Sequence, residues 1–309
     1  MTVRTWYRDL GTPIASGMTI DDQLKAAGLD WTVELSPIRY ADDCSTEEYL
    51  AAYRSDTQQM LSVYGKWRKP FQNHQILETF HTFCTQNDLQ IDRIGCLKGG
   101  KELFAFCKLP IEIDVRKVGD ITEAHLMIAE SHECGRGLQI DLYFNRLVCT
   151  NGMTRSVRRS QQVINHVSEY NSETRGRASV ASRIAGILTH ALATVRDYEK
   201  VSNRLADVAL TKQEAELHLI KAFGDPNKPL EAQPRIVQTC LKLFLGDGKG
   251  SDLLSAYGTA YGLLESVKEY INWHSPVRGS LETAFSSLCY GSRKQKQDAF
   301  MQQLVSVHL

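Results

Sequence analysis

The chain predicts an α+β protein: an antiparallel β-meander with short helices before it and a long helical C-terminal half after it. Three observations carry this. Between Glu102 and Cys149 apolar residues recur at every second position. Between Ile184 and Val208 they recur at helical spacing, through Ile187, Leu188, Ala191, Val195, Tyr198, Val201 and Leu205. After Gly152 the chain turns helical and stays so, which leaves a mixed first half around the meander and a helical second half.

The elements follow in order. Thr19 with Asp22, and Ser45 with Glu48, have the spacing of helix N-caps, and Gly28 ends the first of these helices. Trp31 to Leu35 alternates like a strand, and Met60 to Tyr64 is a second short strand. Asn73 opens a helix on which Ile76, Phe80, Phe83 and Cys84 share a side. In the meander, Leu103, Ala105, Cys107 and Leu109 oppose Phe104, Phe106 and Lys108. Leu126 and Ile128 then alternate with His125 and Met127, and Leu138, Ile140, Leu142 and Phe144 with Asp141 and Tyr143. This gives one core face and one mixed face.

An apolar run Leu147-Val148-Cys149 and an Asn-Gly turn come next, then a basic helix over 153–170. Thr211 with Glu214 is a further capping box. Residues 225–234 hold three of the 8 prolines and read as a linker. They separate an α+β core domain over 1–224 from a C-terminal helical region over 235–309, itself interrupted near Ser275-Pro276.

Composition narrows the function classes. In 309 residues, 36 Lys+Arg balance 36 Asp+Glu, so any polyanion site must come from local clustering. The 8 cysteines form no CxxC pair, which argues against zinc fingers and a disulfide framework. Met1 to Leu10 lacks the apolar core of a signal peptide, and the apolar window from Ile184 to Val195 is too short to span a bilayer. A cytoplasmic protein with no membrane partner is the expectation.

The clustering occurs after the meander. Arg155, Arg158, Arg159, Arg175, Arg177 and Arg183 face only Glu169 and Glu173 in that stretch. On a helix, Arg155, Arg159, Gln162 and His166 share one side, and arginine suits bidentate phosphate contacts. The bland alternative is a solvated helix face balanced by acidic patches elsewhere. Tyr143, Phe104 and Phe106 share the mixed side of the sheet; burial under later helices is the expectation for the two phenylalanines, while Tyr143 is open to base stacking.

Other constellations are weaker. His132-Glu133 lacks the second histidine of a zincin motif, since Arg136 stands in that place, and Gly135 and Gly137 make a polar turn the better reading. Gly246 to Ser251 misses the phosphate-loop pattern because Gly250 follows Lys249, and Gly99-Gly100-Lys101 reads as a hairpin entry.

Ala27 to Trp31, Tyr53 to Thr57, Phe71 to Asn73, Ser131 to Glu133, Arg146 to Gly152 and Tyr261 to Tyr270 together resemble an uncharacterised family of phage/plasmid-like proteins found in bacteriophages, plasmids and bacteria. The chain departs from that family's pattern at Glu133-Cys134, where Asp-Gly is usual, and at Tyr261 and Glu265, where Trp and Asn are usual. The resemblance implies a phage setting and no fixed biochemical role. In outline, a meander with a basic helix is similar to single-strand annealing proteins, an analogy of topology.

The expectation is therefore a non-enzymatic, annealing-type protein of phage recombination that binds single-stranded DNA as a homo-oligomer, without cofactor or metal. Arg155, Arg158, Arg159, Arg175, Arg177 and Arg183 would bind phosphates, Arg146 and Lys101 would extend the track, and Tyr143 would stack on a base. Two alternatives stand beside it. One is a metal-dependent enzyme acting on nucleic acid, using His125, His132, Glu133 and Asp141. The other is a structural or host-interacting phage protein.

Overall fold

A computed structural model describes residues 10–41, 44–133, 139–149, 151–156, 175–276 and 279–309. The larger of its two antiparallel sheets has the spatial order β1 (Thr12–Pro13), β5 (Ile91–Leu97), β6 (Glu102–Val115), β7 (Asp120–Ser131), β8 (Gln139–Arg146) and β9 (Asn151–Ser156). The smaller consists of β2 (Val33–Tyr40), β3 (Cys44–Arg54) and β4 (Met60–Gly65). Helix α1 (Ile20–Ala26) precedes the small sheet and α2 (Asn73–Gln86) joins the two sheets. The second half is helical: α3 (Arg175–Ala206), α4 (Lys212–Phe223), α5 (Arg235–Lys242), α6 (Ala260–Glu269), α7 (Leu281–Tyr290) and α8 (Ser292–His308). The architecture is α+β.

The meander forms as its alternation dictates. Leu103, Ala105, Cys107, Leu126, Ile128, Leu142 and Phe144 enter one large core with Phe80 of α2, Val195 and Tyr198 of α3, Leu263 and Val267 of α6, and Leu304 of α8. Phe144 stacks on Tyr198 at 4.2 Å between ring centroids, an aromatic contact of about 1 kcal/mol beyond its buried area. The opposite face of the sheet is also covered. Phe104, Phe106, Met127 and Tyr143 form a second cluster with Phe285, Leu288 and Cys289 of α7. The expected burial of Phe104 and Phe106 therefore holds.

Helix ends follow their sequence signals. Thr19 caps α1 through the Asp22 amide, and Thr211 and Glu214 form the reciprocal box that starts α4. In α3 the buried residues Ala191, Val195, Tyr198, Ser202 and Leu205 trace a single stripe.

Three local expectations are corrected. The cap signal at Ser45 does not start a helix, because residues 44–54 form β3, hydrogen-bonded to β2 and β4 on both sides. Tyr49, Leu50 and Tyr53 gain cross-strand neighbours there that a lone short helix would not supply. Asn151-Gly152 is not the turn: Leu147 to Cys149 turns the chain, and Asn151 begins β9. Residues 153–156 are consequently strand rather than the start of the basic helix, with Arg155 opposite Leu142.

Candidate nucleic-acid interface

The structure divides the expected phosphate track. Arg146 is 1% exposed and its guanidinium grips Asp120 in two bonds, Nε to Oδ1 at 2.6 Å and Nη2 to Oδ2 at 2.7 Å. Ser255 Oγ donates to the same carboxylate at 2.6 Å. Arg146 Nη1 lies 3.9 Å from Glu265, whose other oxygen takes Lys268 Nζ at 2.6 Å, and Lys268 reaches Tyr198 Oη at 3.2 Å. Two buried cations thus meet two buried carboxylates. An arginine so enclosed cannot extend a surface track.

Tyr143 is 0% exposed, with its ring 5.7 Å from that of Phe106, so it cannot stack on a base. Its hydroxyl occupies the space beside Gly152 that any Cβ would need. Lys101 lies 3.5 Å from Glu133, which answers its charge. Arg158 and Arg159 lie outside the described residues. The structure places the backbone of Arg155 in β9, and of Arg175, Arg177 and Arg183 in the first part of α3; their side chains also lie outside what it describes.

The residues of the metal-enzyme alternative do not converge. His125 sits between Asp92 and Glu123 on β7, at 3.5 and 3.4 Å. Burial opposes its charge, but the hydrogen bonds to those two carboxylates win and raise its pKa. Seven residues further along the strand, roughly 23 Å away, His132 Nε2 meets Asn73 Oδ1 at 3.0 Å. Tyr64 Oη donates to the His132 carbonyl at 2.7 Å, and Arg68 to the Glu133 carbonyl at 3.3 Å. The turn at Ser131 to Glu133 is thus a buried joint between the two sheets.

The quoted family segments assemble into two such joints. Trp31, Arg54, Asn73 and His132 meet in one. The Asn73 amide donates to the carbonyls of Leu29 and Trp31, the Arg54 guanidinium lies 4.5 Å over the Trp31 ring, and that ring meets His132 edge-on at 5.7 Å. In the other, Arg146, Asn151 and Gly152 meet α6 and its continuation. Asn151 Nδ2 donates to the Glu265 carbonyl at 3.2 Å, and Asn272 and Gln297 both donate to the Gly152 carbonyl.

A surface of exposed aromatic and apolar side chains lies elsewhere, on the small sheet. Ala52, Leu61 and Tyr64 of β3 and β4 point into the core, which turns Tyr49, Tyr53, Met60 and Val63 outward. Tyr49 is 55% exposed and Met60 51%. The Lys66 amide bonds the Glu48 carbonyl at 2.9 Å, so the run Lys66-Trp67-Arg68-Lys69 continues along the rim beside Tyr49. Trp67 is 79% exposed, with the Lys66 ammonium 5.3 Å over its ring. Glu34 and Glu48 also border this face; Glu34 accepts the Tyr53 hydroxyl and raises its pKa, and Glu48 lies 3.9 Å from Lys66.

Sequence reasoning passed over this rim because its cations fall within only four residues, with Arg68 turned inward over the Tyr64 ring, and are diluted in a neutral chain. The signal was an indole flanked by lysines at 66 and 69. Among the described residues, no three His, Cys, Asp or Glu side chains are grouped to hold a metal ion, and no helix is long and apolar enough to cross a membrane.

No curated protein and no solved structure matches the chain. Residues 60–303 match the family described as Domain of unknown function (DUF932), which takes in β4, the rim, the whole meander and nearly all of the helical half. With that much of its length matched, including both joints from Asn73 onward, the chain belongs to the DUF932 family.

Proposed function

We propose that the protein binds single-stranded DNA without catalysing a reaction, acting as a homo-oligomeric annealing protein in the recombination of a phage or plasmid in its host's cytoplasm. The single observation that carries this reading is the exposed indole of Trp67 under the Lys66 ammonium, at the rim of a strand face that presents Tyr49 and Met60. Bases stack on such rings whatever their identity, while flanking lysines neutralise phosphates. The arginines at 155, 158, 159, 175, 177 and 183 would lengthen the phosphate track; Arg146 and Tyr143 have no part in it.

Trp67 is one of 4 tryptophans and is well exposed. Intrinsic fluorescence is followed while a single-stranded oligonucleotide is added at low and at moderate salt, with a duplex as comparison. Saturable quenching by the single strand, weakening as salt rises and weakened further in Trp67→Ala (followed by anisotropy of a labelled strand) and in Lys66→Glu/Lys69→Glu, is the expected result. Six phosphate contacts would give a salt slope near roughly −4. Absence of salt-sensitive binding to the single strand sinks the proposal and leaves the exposed tyrosines and Met60 as a protein-docking patch, the host-interaction reading.

A further inference from the structure

Far from the small sheet, two imidazoles meet across a helix pair. His218 lies in α4 and His308 closes α8, and their Nε2 atoms are 2.9 Å apart. Ring centroids are separated by 5.0 Å with the planes at 55°. Both side chains are partly exposed, so an ion from solvent can reach them. The two helices are held in register independently of the histidines. Phe223 stacks on Phe300 at 5.5 Å, and Gln303 Nε2 donates to the His218 carbonyl at 3.0 Å.

We propose that His218 and His308 form a two-imidazole site for a divalent transition-metal ion of the nickel or copper class. The spacing is the main reason. Two nitrogens each about 2.05 Å from one ion, at a right angle to each other, stand about 2.9 Å apart. The rings now point nearly head-on, so a turn of each about its outer side-chain torsion makes the lone pairs converge. Water fills the remaining positions.

Glu214 stands one helical turn before His218, on the same side of α4. Without metal, one ring must donate its N–H to the other, and the Gln303 amide nitrogen lies 3.4 Å from His218 Nδ1. A neutral imidazole bound through Nε2 carries its proton on Nδ1.

The test titrates nickel(II) into the full chain by calorimetry at pH 7.5 and reads the thermal midpoint with and without the ion. One saturable equivalent is expected in the parent and in His74→Gln, an exposed histidine in α2. Affinity for that equivalent should fall about tenfold or more in both His218→Gln and His308→Gln. The ion should raise the midpoint of the parent, because it clamps α4 to α8 in the folded state alone, and leave both variants unmoved. Equal nickel binding by parent and both variants, or none by the parent, overturns the proposal. Each variant's unfolding transition without metal confirms that it is folded when it is titrated.

Discussion

Arg146 and Asp120 form a two-bond ion pair wholly inside the protein, joining the end of β8 to the start of β7 beneath the loop that leads to α6. A buried pair adds little net stability over a well-packed apolar pair, but removing one partner strands a charge. Asp120→Asn should cost about 3–5 kcal/mol, and Arg146→Met a similar amount. Urea unfolding followed by circular dichroism measures both. A loss below about 1 kcal/mol in each would mean that water reaches the pair.

Gly152 is fixed by the ring opposite. A Cβ at this position would collide with the hydroxyl and ring edge of Tyr143. Gly152→Ala should therefore destabilise the protein by about 1–3 kcal/mol, the usual range for overpacking. Tyr143→Phe removes the nearest atom and should restore part of that loss in the double variant. Additive losses would place the strain elsewhere.

Acid should weaken the face of the sheet around His125. Glu123 is held at about 2, chiefly by its hydrogen bond from His125 and then by Lys108, against the effect of burial. A lowered carboxylate pKa stabilises the fold above the unfolded value near 4.5, and that contribution disappears as pH falls toward 2. His125 runs the other way: its raised pKa contributes fully below the unfolded value near 6.5 and is lost as pH climbs through the folded value. Urea midpoints between pH 2 and 9 should fall on both flanks. In Glu123→Gln the acid flank should flatten, and an unchanged acid flank would remove this carboxylate as its source.

Thiol reactivity should separate two cysteines sharply. Cys149 is buried beside Arg146, and burial pushes its thiol up to about 12, outweighing the nearby guanidinium. Cys44 is exposed at the start of β3. At pH 8 an alkylating reagent should modify Cys44 in the folded protein and reach Cys149 only after denaturant is added. Peptide mapping by mass spectrometry reads the order. Early modification of Cys149 would show that the loop from Leu147 to Cys149 opens.

The meander and α3 were legible in the sequence because their residues repeat a period over many positions, and burial on one side enforces it. The α7 cover over Phe104 and Phe106 was foreseeable as burial, though not which helix supplies it. Ser45 misled because its cap signal is local, whereas β3 is decided by partners at Leu35 and Val63 that are distant in the sequence. Arg146 misled for a related reason. Nothing near it in sequence announces Asp120 or Glu265, and an arginine without a nearby acid reads as exposed. The Lys66-Trp67 rim went unread because an outward strand face is visible only once Leu61 and Tyr64 are known to point inward.

The joint between β9 and the last helices also bears on synthesis. Gly152 offers its carbonyl to side chains of residues 272 and 297, and Leu304 completes the core that the sheet begins. While a ribosome is still making the chain, strands finished at Ser156 must wait for more than a hundred further residues before that wall closes. Until then their apolar side stays open to water, and a chaperone that binds nascent polypeptides would find its longest-lived target there.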